Sequence, residues 1–182
     1  MKRLSLEEAR KLLKKYARDG DSFKKILEHS EAVRKVAKSI AKDIKDIDLD
    51  FVEGAALLHD IGRFQIGPKG NNVEDVIKHG VYGGKILRKE GLDDYASVAE
   101  RHLGAGISRE DIEEQSLDLP SGDYIPVSRE EKIITHADNL IFGDMEGSVE
   151  ETVERFRKEL GEKAGKRVKK LADEVEGMKE KN

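Results

Sequence analysis

The sequence predicts an all-α fold, a single-domain helical bundle, from three observations. Leu, Ile, Val, Ala, Glu, Lys and Arg dominate while Pro occurs only three times, a composition that favours helix. Apolar residues recur at spacings of three and four instead of alternating. Ser-x-x-Glu boxes, in which side chains satisfy the free amides of a helix start, occur at Ser5 with Glu8, Ser128 with Glu131 and Ser148 with Glu151. A length of 182 residues suits one domain with a full core and is short for two. Within it we expect an N-terminal helix over 1–21 packing on the rest, a core over 22–147 and a C-terminal amphipathic helix over 148–182.

The elements follow in order. From Ser22, residues Ile26, His29, Val33, Val36 and Ile40 form one apolar stripe on a helix reaching about Asp43. Phe51 to Leu58 is apolar on nearly every side, broken only by Glu53 and Gly54, and reads as a short helix buried in the bundle. It ends at His59-Asp60-Ile61-Gly62, and the Gly, Pro and Asn residues between Gly62 and Asn72 are loop chemistry, with Gly67-Pro68-Lys69-Gly70 as a turn. Helices resume at about Val73 to Lys89 and Asp94 to Leu103. The stretch 104–127 holds three glycines and two prolines between them and reads as a long loop with a short helix opening at Ser108, a candidate lid. A helix from Ser128 carries Ile133, Ile134, Ala137, Leu140 and Ile141. The last, from Ser148, carries Val153, Phe156, Leu160, Ala164, Val168, Leu171 and Val175, a heptad-like stripe suited to the bundle or to a second subunit.

Composition also excludes functions. Charged residues make up 40% of the chain, yet the net charge is only -4, so the signs are closely mixed and long-range attraction to nucleic acid is not expected. The basic residues from Arg155 to Lys170 are interleaved with Glu154, Glu159 and Glu162 and read as a solvated helix face. With no cysteine, disulfides, thiolate metal sites and cysteine nucleophiles are ruled out. The first residues turn charged before any apolar run of signal length, and no segment approaches the ~20 apolar residues of a membrane span. A cytoplasmic protein without a membrane partner is expected.

Four of the five histidines, at 29, 59, 79, 102 and 136, fall on or beside segments that look buried. A lone buried His is usually a hydrogen-bonded core residue. Asp60 and Asp138, however, also lie on apolar helices, where a carboxylate is costly without a cation or strong donors. A shared divalent ion resolves both costs, and imidazole with carboxylate suits Fe, Mn, Zn, Co or Ni alike. Such an ion lowers the pKa of a bound water and takes charge from a phosphoryl oxygen, as phosphate-ester hydrolysis at neutral pH requires. His136 precedes Asp138 by two residues, about 200° around a helix, so both cannot face one ion.

Three pieces of text stand in order: Glu28-His29-Ser30-x-x-Val33, Leu57-Leu58-His59-Asp60-Ile61-Gly62 and His136-Ala137-Asp138-Asn139-Leu140. This ordered set resembles the HD superfamily of metal-dependent phosphohydrolases over roughly residues 22–142. The resemblance implies His29, His59, Asp60 and Asp138 as ligands of one ion. It implies further that His79, in Lys78-His79-Gly80, and His102, in Arg101-His102-Leu103-Gly104, hold a second ion with Asp60 bridging, the alternative being that both bind phosphate as imidazolium ions. The layout is similar to the diadenosine tetraphosphate hydrolase branch, including Glu131-Lys132-Ile133-Ile134 before the last Asp. It departs in having Arg63 where that branch has lysine, a change from a point donor to a fork. The text Arg101-His102-Leu103-Gly104-Ala105-Gly106-Ile107 resembles small archaeal HDIG proteins.

The expected function is therefore hydrolysis of a phosphoester in a small phosphorylated substrate, a nucleotide or dinucleotide, by metal-activated water. Asp60 and Arg63 are the expected catalytic residues, and Arg63, Lys85 and Asn139 the expected substrate contacts. The competing expectation is a non-catalytic metal- or nucleotide-binding regulatory module acting with a protein or tRNA partner. A homodimer is compatible with either.

Overall fold

The computed structural model of the chain describes residues 2–66, 73–143 and 145–179. Helix α1 (Leu6–Tyr16) opens on the expected capping box of Ser5 and Glu8 and buries Ala9 and Leu13. Helix α2 (Gly20–Ala41) starts two residues before Ser22, because Asp19 is its cap. The Asp19 carboxylate accepts from the Ser22 amide at 2.7 Å, while the Ser22 hydroxyl takes the Asp19 amide at 3.3 Å. The expected boundary at 21/22 therefore falls inside α2.

Helix α3 (Leu49–Leu58) is the hub. Every residue from Phe51 to Leu58 is buried, and α1, α2 and two later helices pack around it. Its buried carboxylate, Glu53, is paired by Arg34 and, at 3.0 Å, by Lys38, both from α2. That pairing removes the cost of a charge in an apolar helix.

After α3 the chain tightens into a 3-10 helix over Ile61–Gln65 that lies on α4 (Val73–Lys89). Gly62 makes the contact possible: a Cβ there would stand 1.9 Å from the His79 carbonyl oxygen and 2.4 Å from the Gly83 nitrogen. The expected loop thus begins as a helical turn, and the turn expected at Gly67-Pro68-Lys69-Gly70 lies outside the described residues. Helix α4 packs along α5 (Asp93–Arg101), which also touches α3.

The segment 104–127 contains α6 (Arg109–Gln115), capped by Ser108, and an antiparallel bridge between Ile107 and Tyr124. Helix α7 (Arg129–Leu140) is capped by Ser128, but the expected reciprocal half of the box is missing. Glu131 turns instead to the Val127 amide at 2.6 Å and to Arg101 at 3.0 Å, tying α7 to α5. A minimal antiparallel hairpin follows, β1 (Ile141–Phe142) with β2 (Met145–Glu146).

The C-terminal stripe is two helices, not one. Helices α8 (Val149–Leu160) and α9 (Glu162–Glu176) pack on each other across Gly161, whose φ of 89° and ψ of 173° belong to a region open essentially to glycine alone. Val168, Leu171 and Val175 are buried as expected, with α9 on α7, whereas Leu160 is exposed at the break.

Candidate metal centre

The helices bring together residues far apart in the chain. His29 comes from the third turn of α2, His59 and Asp60 from the exit of α3, His79 from α4, His102 from the end of α5 and Asp138 from the last turn of α7. Three of the histidines are oriented by one device. His59 Nδ1 donates to the Ala56 carbonyl at 2.7 Å, His102 Nδ1 to the Ala99 carbonyl at 2.8 Å, and His79 Nδ1 to the Val76 carbonyl, each three residues upstream. A carbonyl oxygen only accepts, so each Nδ1 carries the proton and each Nε2 is turned inward, the arrangement typical of ligating histidines. The sequence carried no signal for it, since the partner is backbone and leaves no residue type to read.

Asp60 has two faces. Its Oδ2 lies 3.7 Å from His29 Nε2 and 3.8 Å from His59 Nε2, while its Oδ1 lies 3.0 Å from His79 Nε2 and 3.5 Å from His102 Nε2. Asp138 Oδ1 closes the first group at 3.0 Å from His29 Nε2 and 3.4 Å from His59 Nε2. The donor atoms of His29, His59 and Asp138 lie within 4.8 Å of one another, and so do those of His59, Asp60 and His102. All six expected ligands therefore converge on one place.

The electrostatics are compatible with a cation there. Burial alone would raise the Asp60 carboxyl, but Arg63, His59 and His79 hold it well below the usual carboxylate range. Asp138 is likewise held low against its burial, chiefly by His29 and His59. Burial disfavours a charge on His59, yet the two carboxylates push its pKa up to about 9. His79 goes the other way, to about 4, because of its burial. Among the described residues, the buried atoms His59 Nε2 and Asp60 Oδ1 have no hydrogen-bond partner. Inward lone pairs, two buried carboxylates and orphaned donor atoms fit divalent ions held by nitrogen and oxygen.

The other expected residues divide. Arg63 Nε donates to Asp60 Oδ2 at 2.5 Å, and its side chain, 40% exposed, reaches the cleft. Asn139 sits beside the centre, but its amide donates to the Gly104 carbonyl at 2.5 Å, which braces α7 against the turn after His102 instead of facing a substrate. Lys85 is exposed, its ammonium 5.9 Å from the Tyr82 ring centre, and six positions beyond His79 it lies about 240° around α4. The described residues bring it into no contact with the cluster. His136 is buried against the α9 side, with Lys179 and Glu176 as charged neighbours.

A cleft of about 1060 Å³ opens onto the centre, lined by Lys25, His29, Ala32, Lys35 and Val36 of α2, by Asp60, Arg63 and Ile66, and by Ile141, Gly143 and Glu146 of the hairpin. None of its described lining residues comes from 104–127, the candidate lid.

The family model described as HD domain matches residues 26–143. The chain belongs to the HD-domain family. An uncharacterised protein of Methanocaldococcus jannaschii is 41% identical over 160 residues, 84% of this HD-domain chain and 89% of that protein. A protein of Thermoplasma volcanium named tRNA (cytidine(56)-2'-O)-methyltransferase is 41% identical over 147 residues, 80% of this chain. The chain spans only 40% of that methyltransferase's length. Among solved structures, the HD domain of the Listeria monocytogenes phosphodiesterase PgpH in complex with cyclic-di-AMP aligns over 93% of this chain and 97% of that one. Its TM-score is 0.54 at 16% identity, a likeness of fold. Among the described residues, no helix of this HD-domain protein is long and apolar enough to cross a membrane.

Proposed function

We propose that this HD-domain protein is a metal-dependent phosphohydrolase or phosphodiesterase acting on a nucleotide or dinucleotide. One observation carries the reading: Asp60 presents one carboxylate oxygen to His29 and His59 and the other to His79 and His102, at the base of an open cleft. A closed structural metal site needs no such opening. His29, His59, Asp60 and Asp138 would hold one ion and His79, His102 and Asp60 a second. Divalent ions bound there supply an acidified water and charge neutralisation for a phosphoryl oxygen. The chain's own contribution is placement. The three backbone carbonyls fix the imidazoles, and the Arg63 guanidinium orients Asp60 while reaching the cleft, where its free donors can take a phosphate oxygen. Purified protein supplied with Mn2+ is expected to hydrolyse a nucleotide or dinucleotide ester, and Asp60→Ala to lower that rate at least ~100-fold. Wild-type protein carrying its ions but inert across mononucleotides, cyclic dinucleotides and dinucleoside polyphosphates would remove the reading.

The second reading, a regulatory module acting with a tRNA-modifying partner, is favoured by the match to part of the Thermoplasma volcanium methyltransferase. Specific binding of a tRNA or of such an enzyme, without turnover of any nucleotide, is its expected outcome.

A further inference from the structure

The basic run that begins in α8 has one member that leaves the solvated face. Arg157 and Lys158 pair with the exposed Glu154 and Glu162, whereas Arg155 is half-buried and turns inward. Its guanidinium carbon lies 3.8 Å over the Phe142 ring centre and 5.0 Å from that of Phe156, and its Nη2 donates to the Asn139 carbonyl at 3.2 Å. The Thr152 hydroxyl stands 3.4 Å from the same oxygen, but its one proton has a nearer acceptor in the Ser148 carbonyl at 2.8 Å.

The last carbonyls of a helix have no partner within it. At the end of α7 the Asp138 carbonyl takes the Ile141 amide, the Leu140 carbonyl takes the Gly147 amide at 2.8 Å, and the Asn139 carbonyl takes Arg155. A cation there also suits the negative pole of the helix. The carbonyl so held is one residue beyond Asp138, whose Oδ1 faces His29 and His59. The same guanidinium covers Phe142, which stands between Ile141 and Gly143, two residues of the cleft wall. Gly147 packs on the Phe142 ring so closely that a Cβ would overlap it. One side chain thus touches both the helix end that carries a candidate ligand and the hairpin that walls the cleft.

We propose that Arg155 is a positioning residue of the centre, holding the Asn139 carbonyl and the Phe142 ring together and so fixing Asp138 against His29 and His59 and the hairpin against the cleft. Its effect on ions rests on the reading of the cluster as a metal site. A planar guanidinium can bond an oxygen at its edge and lie over a ring with its face, whereas an ammonium is a point charge and cannot hold both.

The test begins on metal-free protein, with amide exchange followed by NMR. In Arg155→Ala the amides of Ile141 and Gly147 are expected to exchange at least about tenfold faster, while those of Ala55 to Leu58 in α3 keep their protection. The dissociation constant for Mn2+, read from the electron paramagnetic resonance of the free ion, should rise about tenfold. Methylguanidine, which can refill the slot, should restore much of both. Arg155→Lys keeps the charge and should still lose most of the protection, and Lys158→Ala should match the wild type. Unchanged exchange at Ile141 and Gly147 in Arg155→Ala overturns the proposal, as does wild-type behaviour of Arg155→Lys or a loss of protection spread over all helices that methylguanidine does not reverse. Faster local exchange reversed by methylguanidine, in a protein whose wild type takes up no Mn2+, would remove the metal reading and leave Arg155 as the tie between helix and hairpin.

Discussion

His136 and Asp138 stand two residues apart on α7 and face opposite ways, Asp138 into the histidine cluster and His136 toward α9. His79, from a different helix, lies 2.9 Å from His102 Nε2 and 3.0 Å from Asp60 Oδ1. Proximity in the chain and proximity to the centre therefore disagree, and metal content separates them. By elemental analysis, wild-type protein should carry about two ions, His136→Ala the same number and His79→Ala about one. A loss in His136→Ala as large as that in His79→Ala would show that His136 is a ligand. Unchanged content in His79→Ala would return His79 to the role of a phosphate contact. The charge argument favours two ions: a single divalent ion with two ionised carboxylates is neutral, whereas two leave net positive charge for an anionic substrate.

At the scale of elements, the short helix α6 is fixed by a residue that serves twice. Asp111 completes the capping box with Ser108, accepting its amide at 2.9 Å, and also receives Arg167 and, at 3.0 Å, Lys163 from α9. Burial would raise this carboxyl, but Arg167, the Ser108 amide and Lys163 hold it well below its usual value. A carboxyl held low in the folded state contributes stability that is fully present above its unfolded pKa of about 4 and is lost as pH falls below that. Asp111→Asn should cost about 1–2 kcal/mol at pH 7, and chemical denaturation should show the gap from wild type closing between about pH 5 and pH 2. A gap independent of pH would mean that the carboxylate's charge does not anchor α6.

For the whole molecule, five helices each deliver at least one candidate ligand, so an ion held by them would bind the folded chain and not the unfolded one. At a free concentration 100 times its dissociation constant, such an ion adds about 2.7 kcal/mol. For a chain of this size that corresponds to a rise in Tm of roughly 5–11 °C. Thermal unfolding followed by circular dichroism with Mn2+ and then with excess EDTA should show that shift and its reversal. Asp60→Ala, lacking the bridge, should show little of it. A wild-type Tm unmoved by any divalent transition metal would mean that the cluster is an ordinary polar core.

Helical class and most helix positions could be read from the sequence, because apolar periodicity and Ser caps are local signals. The six converging candidate ligands came from the resemblance of three ordered motifs, with His79 and His102 between them, to the HD superfamily. Local text could not decide what depends on approach in space. The 3-10 turn at Gly62 follows from contact with the His79 carbonyl and the Gly83 nitrogen, atoms that lie on another helix. The break at Gly161 interrupts a stripe whose periodicity continues unbroken in the sequence, because the folded chain turns α9 onto α7. Asn139 and Lys85 were read as substrate contacts from the motif and the charge they carry, but a side chain's partner is fixed by packing, and packing gave Asn139 to the Gly104 carbonyl and left Lys85 beside Tyr82. The sequence determined which residues are chemically able to bind metal. Only the tertiary structure decided which atoms face one another, because a distance between helices is not encoded in the spacing of residues along either one.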